Sequence, residues 1–114
     1  MEINDLEKLV QDYRTAALQT GLWNDAENAN QAHDRLHKLY KILRTTPEGQ
    51  EAISRLMADS DPYVRLWAAS HSLFWKPDDA RKVLEQIAAC GGLLGFDAEM
   101  VLKEFDAGRL TFDY

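Results

Sequence analysis

Two histidines at helical spacing are the first candidates for chemistry in this sequence. His33 and His37 are four residues apart in the run HDRLH, so on a helix both imidazoles would lie on one face and could hold a metal ion. The run lacks the glutamate that serves as general base in zinc proteases, and Asp34 lies off the shared face. We therefore expect solvated histidines and no metal site.

The other chemically suggestive groups fit structural roles. Asp78 and Asp79 stand in the first turn of a predicted helix, where acids complement the helix dipole, so they do not form a catalytic carboxylate pair with Glu85. The run GGLLG follows a helix instead of a strand and lacks a phosphate-binding lysine, so it is predicted to be a turn. His71 stands among aromatic residues and is expected to be packed and hydrogen-bonded. No nucleophile, base and oxyanion donor come together, so we expect no enzyme, no cofactor and no small-molecule substrate.

The chain of 114 residues carries a formal net charge of −6, which is unevenly distributed. Residues 35–45 hold four cations and no acid, whereas the segments on either side are acidic; the cations are Arg35, Lys38, Lys41 and Arg44. A nucleic-acid binder needs a broad basic surface for counterion release. Four cations near the end of a helix are better explained by its dipole. We therefore expect no nucleic-acid partner.

The sequence predicts a cytoplasmic protein without a membrane partner. The N-terminal run MEINDLEKLVQDY has no basic region followed by an apolar stretch, so it does not look like a secretory signal. No apolar run approaches membrane-spanning length. The single Cys90 excludes an internal disulfide and suits a reducing compartment, and we expect it to be a buried, unreactive thiol.

The elements that would position any site are all predicted to be helices. Apolar residues recur at three- and four-residue steps, and caps, prolines and glycines delimit six segments. The predicted helices cover residues 4–20, 24–44, 47–58, 62–75, 77–90 and 97–107, and only the tail LTFDY could be extended. The fold class is therefore all-α, built from short antiparallel helical hairpins.

The run DPYVRLWAASHSLFW, residues 61–75, is a helix without a clear polar face. Two stripes are expected to pack inside the protein: Val64, Ala68, His71 and Trp75, and then Leu66, Ala69 and Leu73. A third stripe consists of Tyr63, Trp67, Ser70 and Phe74. It is either covered by the helix over residues 24–44 or kept for a partner, since tyrosine and tryptophan dominate interface energies. We expect this helix to be mostly core.

The last four predicted helices look like two copies of one unit, a helix, a tight turn and a helix that begins with aspartate. Asp61 and Asp97 are these aspartates, 36 residues apart. The run DPYVRLWAASHSL resembles the second helix of a HEAT repeat, in which aspartate is followed by Val-Arg, alanine and leucine. The second copy, FDAEMVLKEF, would be a degenerate or capping repeat. The resemblance implies that Arg65 pairs with Asp97 and sets how the two units stack.

This resemblance implies one HEAT-like domain over residues 1–114, a fragment of an α-solenoid. Its parts are an N-terminal helical pair (1–46), a first hairpin (47–75), a second, degenerate hairpin (76–109) and a tail (110–114). Asp61 is expected to cap its helix, and Trp75 is expected to lie in the core.

Residues 24–110 are similar to a family of small bacterial HEAT-like proteins, the domain of unknown function numbered two thousand and nineteen. The segments VRLWAASH and GFDAEMVLKE carry this likeness. Small helical proteins of this kind occur among the immunity proteins of bacterial toxin systems. The resemblance thus implies a non-catalytic immunity protein that neutralises a cognate toxin, such as a nuclease delivered by contact-dependent growth inhibition.

An acidic protein suits such a toxin, because nucleases present basic clefts. We expect the partner to be bound by acids around apolar anchors in two patches. In the first, Asp25, Glu27 and Asp34 surround Trp23, and in the second, Asp59 and Asp61 flank Tyr63. Trp67 and Phe74 of the third stripe are further candidate contacts. Two alternatives stay open. One is a general adaptor or scaffold that binds a host protein or peptide in the HEAT groove. The other is an enzyme whose site forms only in an oligomer.

Overall fold

Six helices make up the part of the chain that the computed structural model describes, residues 3–22 and 26–113. They are α1 (Ile3–Gln19), α2 (Ala26–Leu43), α3 (Pro47–Arg55), α4 (Pro62–Ser72), α5 (Pro77–Ala89) and α6 (Gly92–Asp106), with a 3-10 turn at Leu56–Ala58. No strand occurs in these residues, so the predicted all-α class is confirmed. None of these helices combines the length and the apolar character needed to cross a bilayer.

Two helix starts show the predicted combination of a capping side chain and a proline. The Thr46 hydroxyl accepts a hydrogen bond of 3.0 Å from the backbone N–H of Gly49, in the first turn of α3. The Asp61 carboxylate accepts bonds of 2.9 and 3.1 Å from two N–H groups in the first turn of α4. These N–H groups have no partner within their own helix, so the caps fix where both helices begin.

α3 crosses the end of α2 with the two backbones in direct contact. Gly49 is buried at this crossing, and a Cβ on it would overlap the carbonyl oxygen of Leu43 at the end of α2. Glycine is therefore required here for close approach, not for an unusual φ. The predicted single helix over residues 47–58 is α3 followed by the tighter 3-10 turn.

α6 begins at Gly92, so Asp97 lies inside the helix and does not begin it, in contrast to the prediction. The chain reverses at Gly91 and Gly92, whose φ angles are 73° and 72°. A Cβ at Gly95 would lie only 3.1 Å from the carbonyl oxygen of Ala88, so this glycine lets α6 cross close to α5. The prediction that the whole run GGLLG is a turn is wrong, because its last four residues are helical.

Two hydrophobic clusters form the core, and α4 contributes to both. The first joins α4 to α1, α2 and α3, and from α4 it contains Val64 and Ala68. The second joins α4 to α5 and α6, and from α4 it contains Leu66, Ala69 and Leu73. The prediction that two stripes of this helix pack on opposite neighbours is confirmed. The solenoid stacking implied by the HEAT resemblance stays a prediction.

The described residues after α6, 107–113, contain no helix or strand, yet Phe112 belongs to the first cluster. Phe112 is 8% exposed, and its ring packs edge-on against His71 and Tyr40, with centroid distances of 4.8 and 5.7 Å. Beside it, the Arg44 guanidinium donates to the Asp113 carboxylate at 2.7 Å. Phe112 is thus part of the core, a role that the sequence did not indicate.

Candidate protein-binding surface

The first predicted patch lies around the start of α2. Trp23 and Asp25 fall outside the described residues. Glu27 and Asp34 are both exposed on α2. These two carboxylates therefore lie at the surface, where they contribute to the negative electrostatic potential around the protein.

Asp59, in the second predicted patch, is not a steering acid. Its carboxylate accepts two hydrogen bonds from the Arg14 guanidinium, at 2.7 and 3.1 Å, and one from the backbone N–H of Asp61 at 2.9 Å. Only 12% of the Asp59 side chain is exposed. The hydrogen bonds from Arg14 lower the pKa of Asp59. Asp59 therefore joins α1 to the loop before α4, whereas the sequence predicts an acid open to a partner.

The tyrosine and tryptophan of the third stripe of α4 are partly covered by the N-terminal helices. The Tyr63 ring lies against Gly21, where a Cβ would overlap it. The Trp67 indole N–H donates to the Thr20 hydroxyl at 3.1 Å, and the His33 ring meets the indole edge-on at a centroid distance of 5.0 Å. Both anchors are half-buried, which limits the area that they could offer to a partner.

The other two residues of this stripe differ in exposure. Ser70 is buried and donates to the carbonyl of Leu66 at 2.7 Å. Phe74 is 44% exposed and meets the rings of Phe105 and Phe112 edge-on. Phe74 is therefore the most open residue of the stripe, and it lies in the turn just beyond the end of α4.

The predicted pair of Arg65 with Asp97 does not form. The Arg65 guanidinium donates to the backbone carbonyls of Asp59 and Ser60, at 2.7 and 3.0 Å. It thus stabilises the loop between the 3-10 turn and α4. The partner of this arginine is local because its side chain extends back towards the N-terminal end of its own helix.

Trp75 lies just beyond α4 at the edge of the first cluster. It is half-buried, its indole N–H donates to the Ser54 hydroxyl at 2.8 Å, and its ring stacks on Tyr40 at a centroid distance of 6.3 Å. Trp75 therefore packs against the edge of the core and does not lie inside it, in contrast to the prediction.

A buried polar group lies beneath this aromatic region. His71 is 1% exposed, its Nδ1 lies 2.6 Å from the Tyr13 hydroxyl, and its ring stacks on Tyr40 at 3.9 Å. Burial lowers the pKa of His71 to about 3, so the imidazole is neutral at pH 7. Burial also raises the pKa of Tyr13 well above its usual value. The structure thus gives His71 the packed, hydrogen-bonded place that the sequence indicates.

Three of the large apolar side chains that are exposed in the described residues lie on α6, and sequence reasoning missed them. Leu93, Phe96 and Met100 are 74%, 56% and 38% exposed. They are spaced i, i+3 and i+7, so they share one face of the helix. We call these three residues the α6 patch. The spacing of these residues indicates an exposed apolar helix face, but the predicted helix start at residue 97 left Leu93 and Phe96 outside the helix.

The α6 patch leads into a pocket of about 330 Å³ between α4, α6, the tail and His33 of α2. Met100 belongs to both, and the aromatic walls of the pocket are Trp67 and Phe112. Asp97 is the carboxylate that lines it. A concave, mostly apolar surface with one charged group is typical of binding sites for protein side chains or small ligands.

Groups with metal-binding or nucleophilic potential are dispersed. No cluster of three or more histidine, cysteine, aspartate or glutamate residues with metal-binding geometry occurs within residues 3–22 and 26–113. The His33 ring contacts Trp67 edge-on, and partial burial lowers the pKa of His33. Cys90 is exposed immediately after the end of α5, so the prediction of a buried thiol is wrong.

Comparisons of the chain with models of known families, with curated proteins and with solved structures found no match.

Proposed function

We propose that this chain is a non-catalytic protein-binding module, namely an immunity protein that binds and neutralises a basic toxin domain in the cytoplasm. The expected target is a nuclease delivered by contact-dependent growth inhibition. The observation that carries the proposal is the α6 patch, where Leu93, Phe96 and Met100 are exposed beside an apolar pocket.

Protein interfaces are built around a few apolar anchors enclosed by a polar rim. The α6 patch provides the anchors, because Phe96 and Met100 stand next to a pocket with the aromatic walls Trp67 and Phe112. Asp97, which lines the pocket, provides an acidic group beside these anchors. A patch of this kind supports contact with a protein surface.

The identity of the partner is supported by charge and by the family resemblance. The net charge of −6 gives long-range attraction to a basic protein, and the exposed acids Glu27 and Asp34 contribute to it. An inhibitor that covers the basic cleft of a nuclease gains both association rate and specificity from such complementarity. The resemblance to small bacterial helical proteins adds the toxin-system setting.

A growth assay tests this function. A toxin domain encoded beside the gene for this chain is expressed in bacteria, alone or with the chain. We expect the wild-type chain to restore growth and the double substitution Phe96→Ser, Met100→Ser to abolish protection. The matched control is Ile42→Ser, which removes another exposed apolar side chain, 45% exposed on α2, and should leave protection intact.

The outcomes separate the parts of the proposal. Failure of the wild-type chain to protect rejects the immunity function. Full protection by the α6 double variant, with its fold verified by circular dichroism, rejects the α6 patch as the interface.

An adaptor that binds a host protein or peptide is the second candidate, and the apolar lining of the pocket favours it. The two functions differ in the salt dependence of association. For a toxin steered by charge we expect the association rate to fall about tenfold or more from low to physiological salt. A rate that does not change with salt favours the adaptor.

A further inference from the structure

Asp97 differs from the other half-buried acids of the described chain. Asp12, Asp59 and Glu104 each form an ion pair with a lysine or arginine, and Asp61 accepts from the backbone. Asp97 is also half-buried, but no hydrogen bond or ion pair joins its carboxylate to any residue in 3–22 or 26–113.

A carboxylate that lines a pocket and has no protein partner can pair with a cationic group of a ligand. Asp97 lines the pocket next to Met100 and Val101. The other titratable residue of the lining is His33. Partial burial lowers the pKa of this histidine, so its ring is mostly neutral at pH 7. The pocket lining therefore has a negative charge and no compensating cation, which suits a positively charged occupant.

The remaining walls suit a long cationic side chain. Trp67 and Phe112 offer aromatic rings, on which guanidinium groups stack favourably. Leu66, Met100 and Val101 offer apolar surface for methylene groups. The volume of about 330 Å³ is at the lower end of the range of about 300–1,000 Å³ for ligand pockets, so one long side chain fits it.

We propose, resting on the proposed function, that this pocket receives an arginine side chain of the basic partner, with its guanidinium on Asp97 and its methylenes between Met100 and Trp67. Arginine fits better than lysine, because its planar group can pair with the carboxylate through two hydrogen bonds while stacking on an aromatic wall. The α6 patch then packs against the apolar residues that flank this arginine.

Two short peptides test the assignment without an identified partner. The probes are acetyl-Leu-Arg-Leu-amide and acetyl-Leu-citrulline-Leu-amide, since citrulline keeps the shape of arginine and lacks its charge. Each is titrated to millimolar concentration into the ¹⁵N-labelled chain. We expect the arginine peptide to shift the Trp67 indole signal and the amides of Asp97 and Met100, with affinity about tenfold above that of the citrulline peptide.

Substitutions then identify the charge responsible. Asp97→Asn should remove the preference for arginine, and Glu99→Gln, on the same helix, should retain it. Equal affinity for both peptides, or no shift of the pocket signals, overturns the arginine pocket. So does a preference that survives in Asp97→Asn.

The outcomes also distinguish this inference from the proposed function. A toxin complex whose dissociation constant is unchanged by Asp97→Asn overturns the pocket assignment and leaves the immunity function standing. Arginine binding that depends on Asp97, in a chain that fails to protect against the toxin, supports the pocket and rejects the immunity function.

Discussion

Acidification should destabilise this protein through one buried histidine. In the folded chain the pKa of His71 is about 3, mainly because burial disfavours the imidazolium, whereas the ordinary value is 6.5. Between these two pH values the unfolded chain binds a proton that the folded chain does not. Stability is therefore retained above pH 6.5 and lost as the pH falls below it.

The expected magnitude follows from the distance to the unfolded pKa. A pH of 5 is about 1.5 units below the pKa of histidine in the unfolded chain, and each unit corresponds to about 1.4 kcal/mol. Protonation of this residue in the unfolded chain should therefore lower the free energy of unfolding by about 2 kcal/mol relative to pH 7.5. Urea denaturation followed by circular dichroism at both pH values measures the loss. His33, whose pKa is also lowered by partial burial, acts in the same direction, so a reference variant is needed.

The reference variant is His71→Asn, whose side-chain oxygen can accept a hydrogen bond from the Tyr13 hydroxyl and does not titrate. The variant will be less stable at every pH, but its loss between pH 7.5 and 5 should be smaller than that of the wild type by about 2 kcal/mol. If both proteins lose the same amount, the proton is not excluded from the folded state at His71, and the argument from burial is refuted.

Four further substitutions test the packing, each by urea or thermal denaturation. Gly49→Ala should lower the free energy of unfolding by about 3 kcal/mol or more, because a Cβ there collides with backbone atoms of Leu43. Gly92→Ala, with open space around it and a φ of 72°, should lower it by about 1–2 kcal/mol. Equal losses would contradict the role of the helix crossing. Asp59→Ala should cost about 1–3 kcal/mol through the lost bonds to α1 and to the loop, and a neutral result would mean that the ion pair does not contribute. Trp75→Phe should cost about 1 kcal/mol through the lost bond to Ser54, and a loss of zero would assign the indole N–H to solvent.

The helices and their starts could largely be predicted from sequence because their determinants are local. Thr46 and Asp61 cap the N–H groups of the next turn, and the prolines that follow them can only begin a helix. Likewise, the alternation of stripes in α4 follows from helical periodicity, and burial of Val64 and Leu66 in different clusters confirms it. The start of α6 could not be predicted, because Gly95 serves a contact with α5 that no local pattern reveals.

The candidate site was less predictable, since it depends on contacts between distant residues. The ion pair of Asp59 could not be predicted, because its partner Arg14 is 45 residues away in the sequence. The sequence allows an extended tail around Phe112, whereas in the structure this ring forms a wall of the pocket and part of the core. Charge and apolarity identify candidate residues, whereas the path of the chain decides which of them remain accessible.

Because α4 contributes residues to both hydrophobic clusters, the two halves of the protein should unfold cooperatively. With Val64 and Ala68 in one cluster and Leu66, Ala69 and Leu73 in the other, neither cluster can open fully while this helix stays folded. The backbone amides of α4 should therefore be the last to exchange with deuterated solvent, at rates set by global unfolding. A cavity made in α5 should accelerate exchange in α1 and α2 as well, because the central helix transmits the loss of stability to both halves.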